Sequence, residues 1–222
     1  MKKKQNSKKK KKIAKTKKKI AKAKLLAYHK KGIIEAGCDE AGRGCLAGPV
    51  FAAAVILPPE FKNDVLTDSK MLTEEQRLEL RPVIEKEALA WAVEMVTNEE
   101  IDQVNILNAS FLAMNKAVQN LKLQPKHLLI DGNRFRPQTT IPFTCMIKGD
   151  SRFYSIAAAS VLAKTYRDEF MIRLHEEFPD YMWSRNKGYA TLQHREAIQK
   201  IGISKYHRKS FQLLNKQLEF EF

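Results

Sequence analysis

Apolar residues occur along this chain in two patterns: short continuous runs, and longer segments in which they recur every three or four positions. Short runs bounded by glycine, proline or polar residues are typical of buried β-strands. Only a short connection separates the first two runs, so we expect the corresponding strands to pair antiparallel. The predicted strands are residues 33–39, 48–57, 89–96, 128–130 and 141–147.

Segments with helical spacing lie between and after these runs. Thr73 begins the sequence Thr-Glu-Glu-Gln, a capping box that opens a helix to about residue 88. We expect Pro82 to kink or split this helix. Two later helices are predicted at residues 151–178 and 191–201. Between them and the first helix, apolar residues at steps of three and four predict one buried helical stripe: Ile101, Val104, Leu107, Phe111, Met114, Val118 and Leu121.

The order of the predicted elements indicates an α/β domain. Three antiparallel strands come first and helices then alternate with strands, which describes a mixed sheet covered by helices. The chain has 222 residues, 44% of them hydrophobic, which is enough to bury one substantial core. We therefore expect a single catalytic domain.

The net charge of +15 is concentrated at the N-terminus. Residues 1–24 contain 14 lysines and no acidic residue, whereas the remaining 198 residues carry 26 basic and 25 acidic side chains. Such a segment repels itself and buries little apolar surface, so we expect it to be disordered when free. It favours salt-sensitive binding of nucleic acid over the alternative of a solubilising tail without a defined partner.

The sequence also bears on where the protein works. It contains no apolar run of membrane-spanning length, and its N-terminus lacks the apolar stretch and cleavage site of a secretory signal. We therefore expect a cytoplasmic protein. The cysteines, Cys38, Cys45 and Cys145, form no CxxC pair, and we expect them to be reduced thiols without a catalytic role.

Acidic residues follow three of the predicted strands. Asp39 and Glu40 end the first strand, Asp131 ends the fourth, and Asp150 follows the fifth. If the first and fourth strands are neighbours, Asp39 and Asp131 face one another at a sheet edge, where α/β proteins gather functional groups. Carboxylates this close repel one another unless hard cations such as magnesium bind them, and two such ions suit phosphodiester hydrolysis. For Asp39 and Glu40 alone, the simpler interpretation is an acidic turn, solvated or paired with Arg43.

Six blocks of sequence occur in order between about residues 33 and 211. They are Gly37-Cys38-Asp39-Glu40-Ala41-Gly42-Arg43-Gly44 with Gly48-Pro49-Val50, Asp68-Ser69-Lys70, Ile130-Asp131-Gly132-Asn133, Lys148-Gly149-Asp150, residues 155–164, and Lys187-Gly188-Tyr189 with Thr191, His194 and the late His207-Arg208-Lys209-Ser210-Phe211. This ordered set resembles the type 2 ribonucleases H, the ribonuclease HII family, in its bacterial form.

The resemblance implies a ribonuclease H-like fold: a mixed five-stranded sheet with flanking helices and a helical C-terminal part. It implies that Asp39, Glu40, Asp131 and Asp150 are catalytic and bind a divalent metal, magnesium or manganese. Members of the family cut RNA in RNA–DNA hybrids. They also cut duplex DNA on the 5′ side of an embedded ribonucleotide and leave a 3′-hydroxyl and a 5′-phosphate. A monomer acting on these nucleic acids is expected.

The resemblance also implies which residues bind the substrate. The main chain of Gly42 and Gly44 would approach the 2′-hydroxyl, the group that distinguishes RNA from DNA. Tyr189 would stack against the neighbouring sugar at the junction with DNA. Phosphates, which position a duplex without reporting its sequence, would be contacted by Arg43, Ser69 and Lys70.

Two other candidates have simpler interpretations. Lys164 precedes Asp168 by four residues on a helix, which predicts a surface ion pair rather than a catalytic acid. His194 lies at a family position and is expected to be a structural hydrogen-bonding residue rather than a general base.

The chain divides into a lysine-rich tail at residues 1–30, a catalytic domain at residues 31–211 and a C-terminal tail at residues 212–222. The last six residues weakly resemble motifs that dock on DNA sliding clamps, although an amphipathic tail packed on the body is the simpler interpretation. The rival function is a non-catalytic nucleic-acid-binding protein that uses the same scaffold and the lysine tail. The presence of all four acids favours the enzyme.

Overall fold

The computed structural model describes residues 25–214 of the chain. One sheet lies at its centre, and each of its strands overlaps a predicted apolar run. The strands are β1 at Glu35–Ala41, β2 at Val50–Ile56, β3 at Ala90–Val96, β4 at His127–Asp131 and β5 at Phe143–Met146. Their order across the sheet is β3-β2-β1-β4-β5. The predicted five-stranded sheet is confirmed.

The pairing of the strands brings two predicted acids to one edge. β1 pairs antiparallel with β2, which pairs antiparallel with β3, as predicted for the first three strands. β1 pairs in parallel with β4, with Cys38 opposite Ile130, and β4 pairs in parallel with β5. The sheet is therefore mixed. Because β1 and β4 run in the same direction, Asp39 and Asp131 lie at the same end of neighbouring strands.

Six α-helices surround the sheet in the described residues. Their bounds are α1 at Glu74–Glu87, α2 at Asn98–Val104, α3 at Ile106–Gln119, α4 at Tyr154–Glu177, α5 at Trp183–Asn186 and α6 at Leu192–Ile201. The capping box at the start of α1 is confirmed, because Thr73 and Gln76 each bind the main-chain N–H of the other. Pro82 lies inside α1, which continues without a break.

The prediction of a single apolar helical stripe between residues 101 and 121 is wrong in one respect, because this segment forms two helices. Asn105 adopts a left-handed φ of 68° and separates α2 from α3. Its side-chain Oδ1 accepts hydrogen bonds from the N–H groups of Leu107 and Asn108, which begins a new helix in a new direction. The change of direction leaves Val104 and Leu107 exposed, although the later part of the stripe is core.

Two apolar layers cover the sheet. α3 packs on one face, and α4 with α1 packs on the other. The small residues predicted for close packing, Ala157, Ala158 and Ala159, are fully buried in α4. A Cβ on Gly37 of β1 would collide with the main chain of Ser155 and Ile156. The glycine before the acidic pair therefore allows α4 to lie directly against the strand that carries Asp39.

The C-terminal part forms a third apolar cluster around Trp183, Tyr181 and Ile198, which packs on the loop between β1 and β2. The predicted helical C-terminal part is confirmed. At the other end, Leu25 is buried and Leu26 forms a bridge with Phe153. Within residues 25–214, the helices are all too short or too polar to cross a membrane.

Candidate active site

Four predicted acids gather at one edge of the sheet. Asp39 and Glu40 lie in β1, Asp131 ends β4, and Asp150 lies in a short 3-10 turn at Gly149–Ser151. The Oδ1 atom of Asp131 accepts a hydrogen bond of 2.7 Å from the N–H of Gly149, which fixes that turn against the end of β4. Asp39 and Asp150 are buried, whereas Glu40 and Asp131 are partly exposed.

The acids shift the pKa values of one another because they are close together and partly or fully buried. Burial, and then the charges of Glu40 and Asp131, raise the pKa of Asp39 well above its usual value. Burial, and then the charge of Asp131, raise the pKa of Asp150 to about 6. The arrangement therefore concentrates negative charge that the fold itself does not fully neutralise.

Two cations lie close to the acids. Arg43 Nη1 donates to Glu40 Oε1 at 2.8 Å, so the simpler interpretation of the acidic pair holds for Glu40. Burial raises the pKa of Glu40 and this ion pair lowers it, with a net rise. Lys70 Nζ lies 3.8 Å from Asp150 Oδ2. Burial alone would lower the pKa of Lys70, but the nearby carboxylates outweigh burial and raise it.

The donor set fits a divalent cation. The Oδ2 atom of Asp150 is buried and has no hydrogen-bond partner among residues 25–214. An acceptor left in this state is costly unless something that carries positive charge binds it. Carboxylate oxygens are the ligands that magnesium and manganese prefer. Within residues 25–214, no three His, Cys, Asp or Glu side chains lie close enough together to hold an ion without further ligands.

A cleft of about 500 Å³ opens beside the acids. Asp39, Glu40 and Asp131 line it, whereas Asp150 is not part of its wall. The cleft also brings together all six residues predicted to bind substrate, which are Gly42, Arg43, Gly44, Ser69, Lys70 and Tyr189.

One wall of the cleft is the loop that follows β1, residues 42–49, which we call the glycine loop. Gly42 has a φ of 96°, and a Cβ there would collide with the buried side chain of Arg167. A Cβ on Gly44 would meet no atom within 4 Å. The two glycines therefore differ: Gly42 is required by the packing of the loop, whereas Gly44 borders open space.

In the glycine loop, main-chain carbonyl groups are hydrogen-bonded, whereas two main-chain N–H groups are not hydrogen-bonded to any residue that the structure describes. Arg208 donates to the carbonyl oxygens of Gly42 at 2.8 Å and Arg43 at 3.0 Å. The N–H groups of Arg43 and Gly44 have no acceptor within the described part of the chain. The loop therefore offers hydrogen-bond donors, rather than these two carbonyl oxygens, to anything that enters the cleft.

The turn at Ser69–Met71 forms a second wall. Asp68 caps this turn, and Arg77 Nη1 donates to the carbonyl oxygen of Ser69 at 3.0 Å. Ser69 is buried, and its hydroxyl lies 2.8 Å from the hydroxyl of Ser160. The Lys70 side chain is 79% exposed, and its Nζ lies 3.8 Å from Asp150 Oδ2. Lys70 is thus better placed than Ser69 to meet a phosphate directly.

Tyr189 forms a third wall and is 42% exposed. The predicted ion pair beside it is confirmed, because Lys164 Nζ lies 3.3 Å from Asp168 Oδ2. Its predicted surface position is wrong, since Asp168 is buried by the packing of α4. His194 is fully buried and hydrogen-bonded, as predicted for a structural histidine.

Several further residues that were not predicted to have a role shape the cleft. Ser160 and Lys164 line it directly, and Arg167 and Arg208 hold the glycine loop from behind. One signal was available for Arg167: it lies on the helical face that includes Ala163 and Met171, so a charged side chain there had to be buried.

Comparison with known proteins places these features in a family. The family model for ribonuclease HII matches residues 36–214. The chain is 64% identical over 199 residues to the ribonuclease HII of Bacteroides thetaiotaomicron, covering 89% of this chain and all of the relative. Among solved structures, the complex of PCNA with ribonuclease HII from Archaeoglobus fulgidus is similar with a TM-score of 0.69 and 27% identity, over 83% of this chain and 98% of that one. Bst-RNase HIII bound to Mn²⁺ shares the fold with a TM-score of 0.68 at 22% identity, over 84% of this chain and 69% of that one.

Proposed function

Since the chain belongs to the ribonuclease HII family and is an endonuclease of the ribonuclease H type, we propose that it reads single ribonucleotides in duplex DNA. It would cut on the 5′ side of the ribonucleotide, leave a 3′-hydroxyl and a 5′-phosphate, and also cut RNA in RNA–DNA hybrids. The observation that carries this proposal is the cleft in which three carboxylates face a loop that offers N–H donors.

The proposed cofactor is a pair of divalent cations, magnesium or manganese. Asp39, Glu40, Asp131 and Asp150 would hold them, and the unpartnered oxygen of Asp150 supports this assignment. When bound, such ions lower the pKa of an attacking water and offset the charge of the phosphate and the leaving oxygen. Magnesium usually keeps waters and phosphate oxygens among its ligands, which suits carboxylates that line an open cleft.

The glycine loop would recognise the sugar. A 2′-hydroxyl oxygen can accept hydrogen bonds from the N–H groups of Arg43 and Gly44, and deoxyribose has no oxygen there. A deoxyribonucleotide would forgo these hydrogen bonds, each of which contributes about 0.5–1.5 kcal/mol net. Selectivity for RNA would therefore arise from the main chain and be independent of the base.

The remaining walls would position the duplex. Arg43 and Lys70 would contact phosphates, and Tyr189 would stack on the sugar that follows the ribonucleotide. Ser69 would act indirectly, because its hydroxyl is hydrogen-bonded to Ser160 and would orient that residue toward the cleft. These residues hold and orient the substrate, and none of them needs to exchange a proton with it.

We also propose that the chain consists of one catalytic domain and two tails. Residues 31–211 would form the catalytic domain, with segments 1–30 and 212–222 as tails, of which Leu25 and Leu26 attach to the body. The lysine run at residues 1–24 and the clamp-like segment at residues 217–222 lie outside the described residues. The PCNA complex of the Archaeoglobus fulgidus relative supports a sliding-clamp contact, and we also propose that the enzyme acts as a monomer in the cytoplasm. A purely binding function through the lysine run is disfavoured because all four acids are retained.

Substitution of Asp131 by asparagine tests the enzyme assignment. Asp131→Asn should abolish cleavage of a labelled RNA–DNA hybrid but keep its binding, because the proposed phosphate contacts lie elsewhere. Asp64→Asn is the matched control, since Asp64 is exposed and lies outside the cleft. Full activity of Asp131→Asn with magnesium would contradict the assignment and favour a binding protein with a different catalytic residue or none.

A further inference from the structure

His207 and Arg208 contact the two walls of the cleft that are proposed to recognise the sugar. The main chain of this segment pairs with the glycine loop, where Arg208 N donates to Leu46 O at 2.8 Å and Ala47 forms a bridge with His207. The side chains of His207 and Arg208 then extend in different directions. Arg208 reaches the glycine loop, and His207 reaches the segment that carries Tyr189.

Arg208 is a buried cation that binds only main-chain oxygen atoms. Its guanidinium donates to the carbonyl oxygens of Gly42, Arg43 and Gly48 at 2.8–3.0 Å. In residues 25–214 it has no carboxylate partner within 4.0 Å. Burial lowers its pKa to about 10, which reflects the cost of keeping this charge away from water. The hydrogen bonds that accompany this buried charge hold the main chain of the glycine loop.

His207 acts through His194, and the hydrogen bonds identify the proton on each ring. The N–H of Ser204 donates to His207 Nδ1 at 2.9 Å, so that nitrogen carries no proton and Nε2 does. His207 Nε2 lies 3.2 Å from His194 Nε2, which also accepts from Trp183 Nε1 at 3.0 Å. His194 must therefore carry its proton on Nδ1.

The proton on His194 Nδ1 points at the cleft wall. It is donated to the carbonyl oxygen of Tyr189 at 2.9 Å, which also accepts from the N–H of Thr191 at 2.8 Å. Both rings are fully buried, so no water competes for these bonds. The Tyr189 main chain, which also forms a bridge with Cys45 of the glycine loop, therefore accepts a hydrogen bond from a buried network that includes Ser204, Trp183 and both histidines.

We propose that His194, His207 and Arg208 are positioning residues that set the spacing between the glycine loop and Tyr189, and thereby the selectivity for a single ribonucleotide. This inference rests on the proposed function and extends it. One ribonucleotide in DNA must meet the loop while the next sugar meets Tyr189, so both walls must be in register. A long hybrid presents a 2′-hydroxyl at every sugar and tolerates a shifted register.

The test compares cleavage of the two substrates by conservative variants. Arg208→Lys keeps the charge but loses the planar fork that reaches three carbonyl oxygens. His194→Phe removes the donor to Tyr189, and His194→Asn restores an N–H donor near the position of Nδ1. Ile84→Ala is the control for lost stability, because Ile84 is fully buried against α4 and far from the cleft.

We expect Arg208→Lys and His194→Phe to lose kcat/KM on a single-ribonucleotide duplex about tenfold more than on a long RNA–DNA hybrid. His194→Asn should recover most of the loss, and Ile84→Ala should affect both substrates equally. Equal losses on both substrates, or no loss at all, would overturn the proposal, and His194→Phe decides the matter if Arg208→Lys does not fold. A wild-type protein that cuts the hybrid but never the single-ribonucleotide duplex would instead contradict the proposed function.

Discussion

Lys70 Nζ lies 3.8 Å from Asp150 Oδ2, close enough to attract the carboxylate and too far to satisfy it with a hydrogen bond. Asp150 is therefore a buried carboxylate whose charge is only partly compensated. This uncompensated charge disfavours the ionised form of Asp150 in the folded protein. Active sites commonly hold groups that reduce the stability of the fold.

This cost can be measured on the metal-free protein. Because the pKa of Asp150 is raised from 3.8 to about 6 in the folded state, its ionisation opposes folding above pH 6, and the effect vanishes below about pH 4. Asp150→Asn should therefore increase the free energy of unfolding at pH 8 by about 1–2 kcal/mol in chelator. Denaturant titrations at pH 8 and pH 4 would measure it, with Asp64→Asn as the control. A loss of stability at pH 8 would show that Asp150 is already compensated.

The two glycines of the cleft should respond differently to an added methyl group. Gly44→Ala meets no protein atom, so the melting temperature should change by less than about 2 °C, while cleavage beside a ribonucleotide falls about tenfold or more. Gly42→Ala combines a φ of 96° with a collision at Arg167 and should destabilise the fold by roughly 2–4 kcal/mol.

Thermal unfolding and cleavage assays on both variants test this contrast. Gly202→Ala is a useful control, since Gly202 also has a positive φ but an added Cβ there meets nothing and the residue lies away from the cleft. If Gly44→Ala cleaved as fast as the wild type, the loop would not approach the sugar at that point.

The buried histidines predict a dependence of stability on pH. Burial, and then the charge of His194, lower the pKa of His207 from 6.5 to about 4. Between about pH 4 and 6.5, the unfolded chain therefore binds a proton at His207 that the folded chain does not bind. Stability from this residue is present above pH 6.5 and is lost as the pH falls toward 4, by up to about 1.4 kcal/mol per pH unit.

Urea unfolding of the wild type and His207→Gln between pH 4 and 8 would measure this slope. His207→Gln should flatten the curve relative to the wild type, because it removes the group whose pKa differs between the folded and unfolded chain. Parallel curves for the wild type and His207→Gln would mean that the ring has the same pKa in the folded and unfolded chain, which would contradict its burial as a neutral acceptor in the hydrogen-bond network.

The lysine run gives a separate prediction. Deleting residues 1–24 removes 14 positive charges, so binding to a duplex should weaken at low salt and depend less steeply on salt concentration. Selectivity for a single ribonucleotide should persist, because the cleft is unchanged. A variant with glutamine at these lysines controls for length, and equal affinity at every salt concentration would assign the run no role in binding.

Much of the fold and the acid cluster could be predicted because their signals are local. The apolar runs define the strands, and Asp39 and Asp131 follow two of them directly, so parallel pairing of β1 with β4 was enough to bring these acids together. The break at Asn105 was missed because a left-handed asparagine can continue the spacing of apolar residues while changing the direction of the helix.

The supports of the cleft could not be predicted in the same way. Arg208 binds Gly42 across 166 positions of sequence, and nothing near either residue indicates the other. The burial of Ser69 and Asp168 likewise depends on how α4 packs, because the residue types alone favour exposure. The sequence therefore predicts which groups line the cleft, whereas the structure identifies the buried groups that contact its loops.

The most direct test is to map the cut in duplex DNA that contains one ribonucleotide. With magnesium or manganese, the protein should produce a single nick immediately 5′ of the ribonucleotide, with a 3′-hydroxyl that a polymerase can extend. It should produce none in chelator and none in the same duplex made only of DNA. A nick in the all-DNA duplex, a nick on the 3′ side, or no metal-dependent nick would contradict the assignment of the acids and the glycine loop.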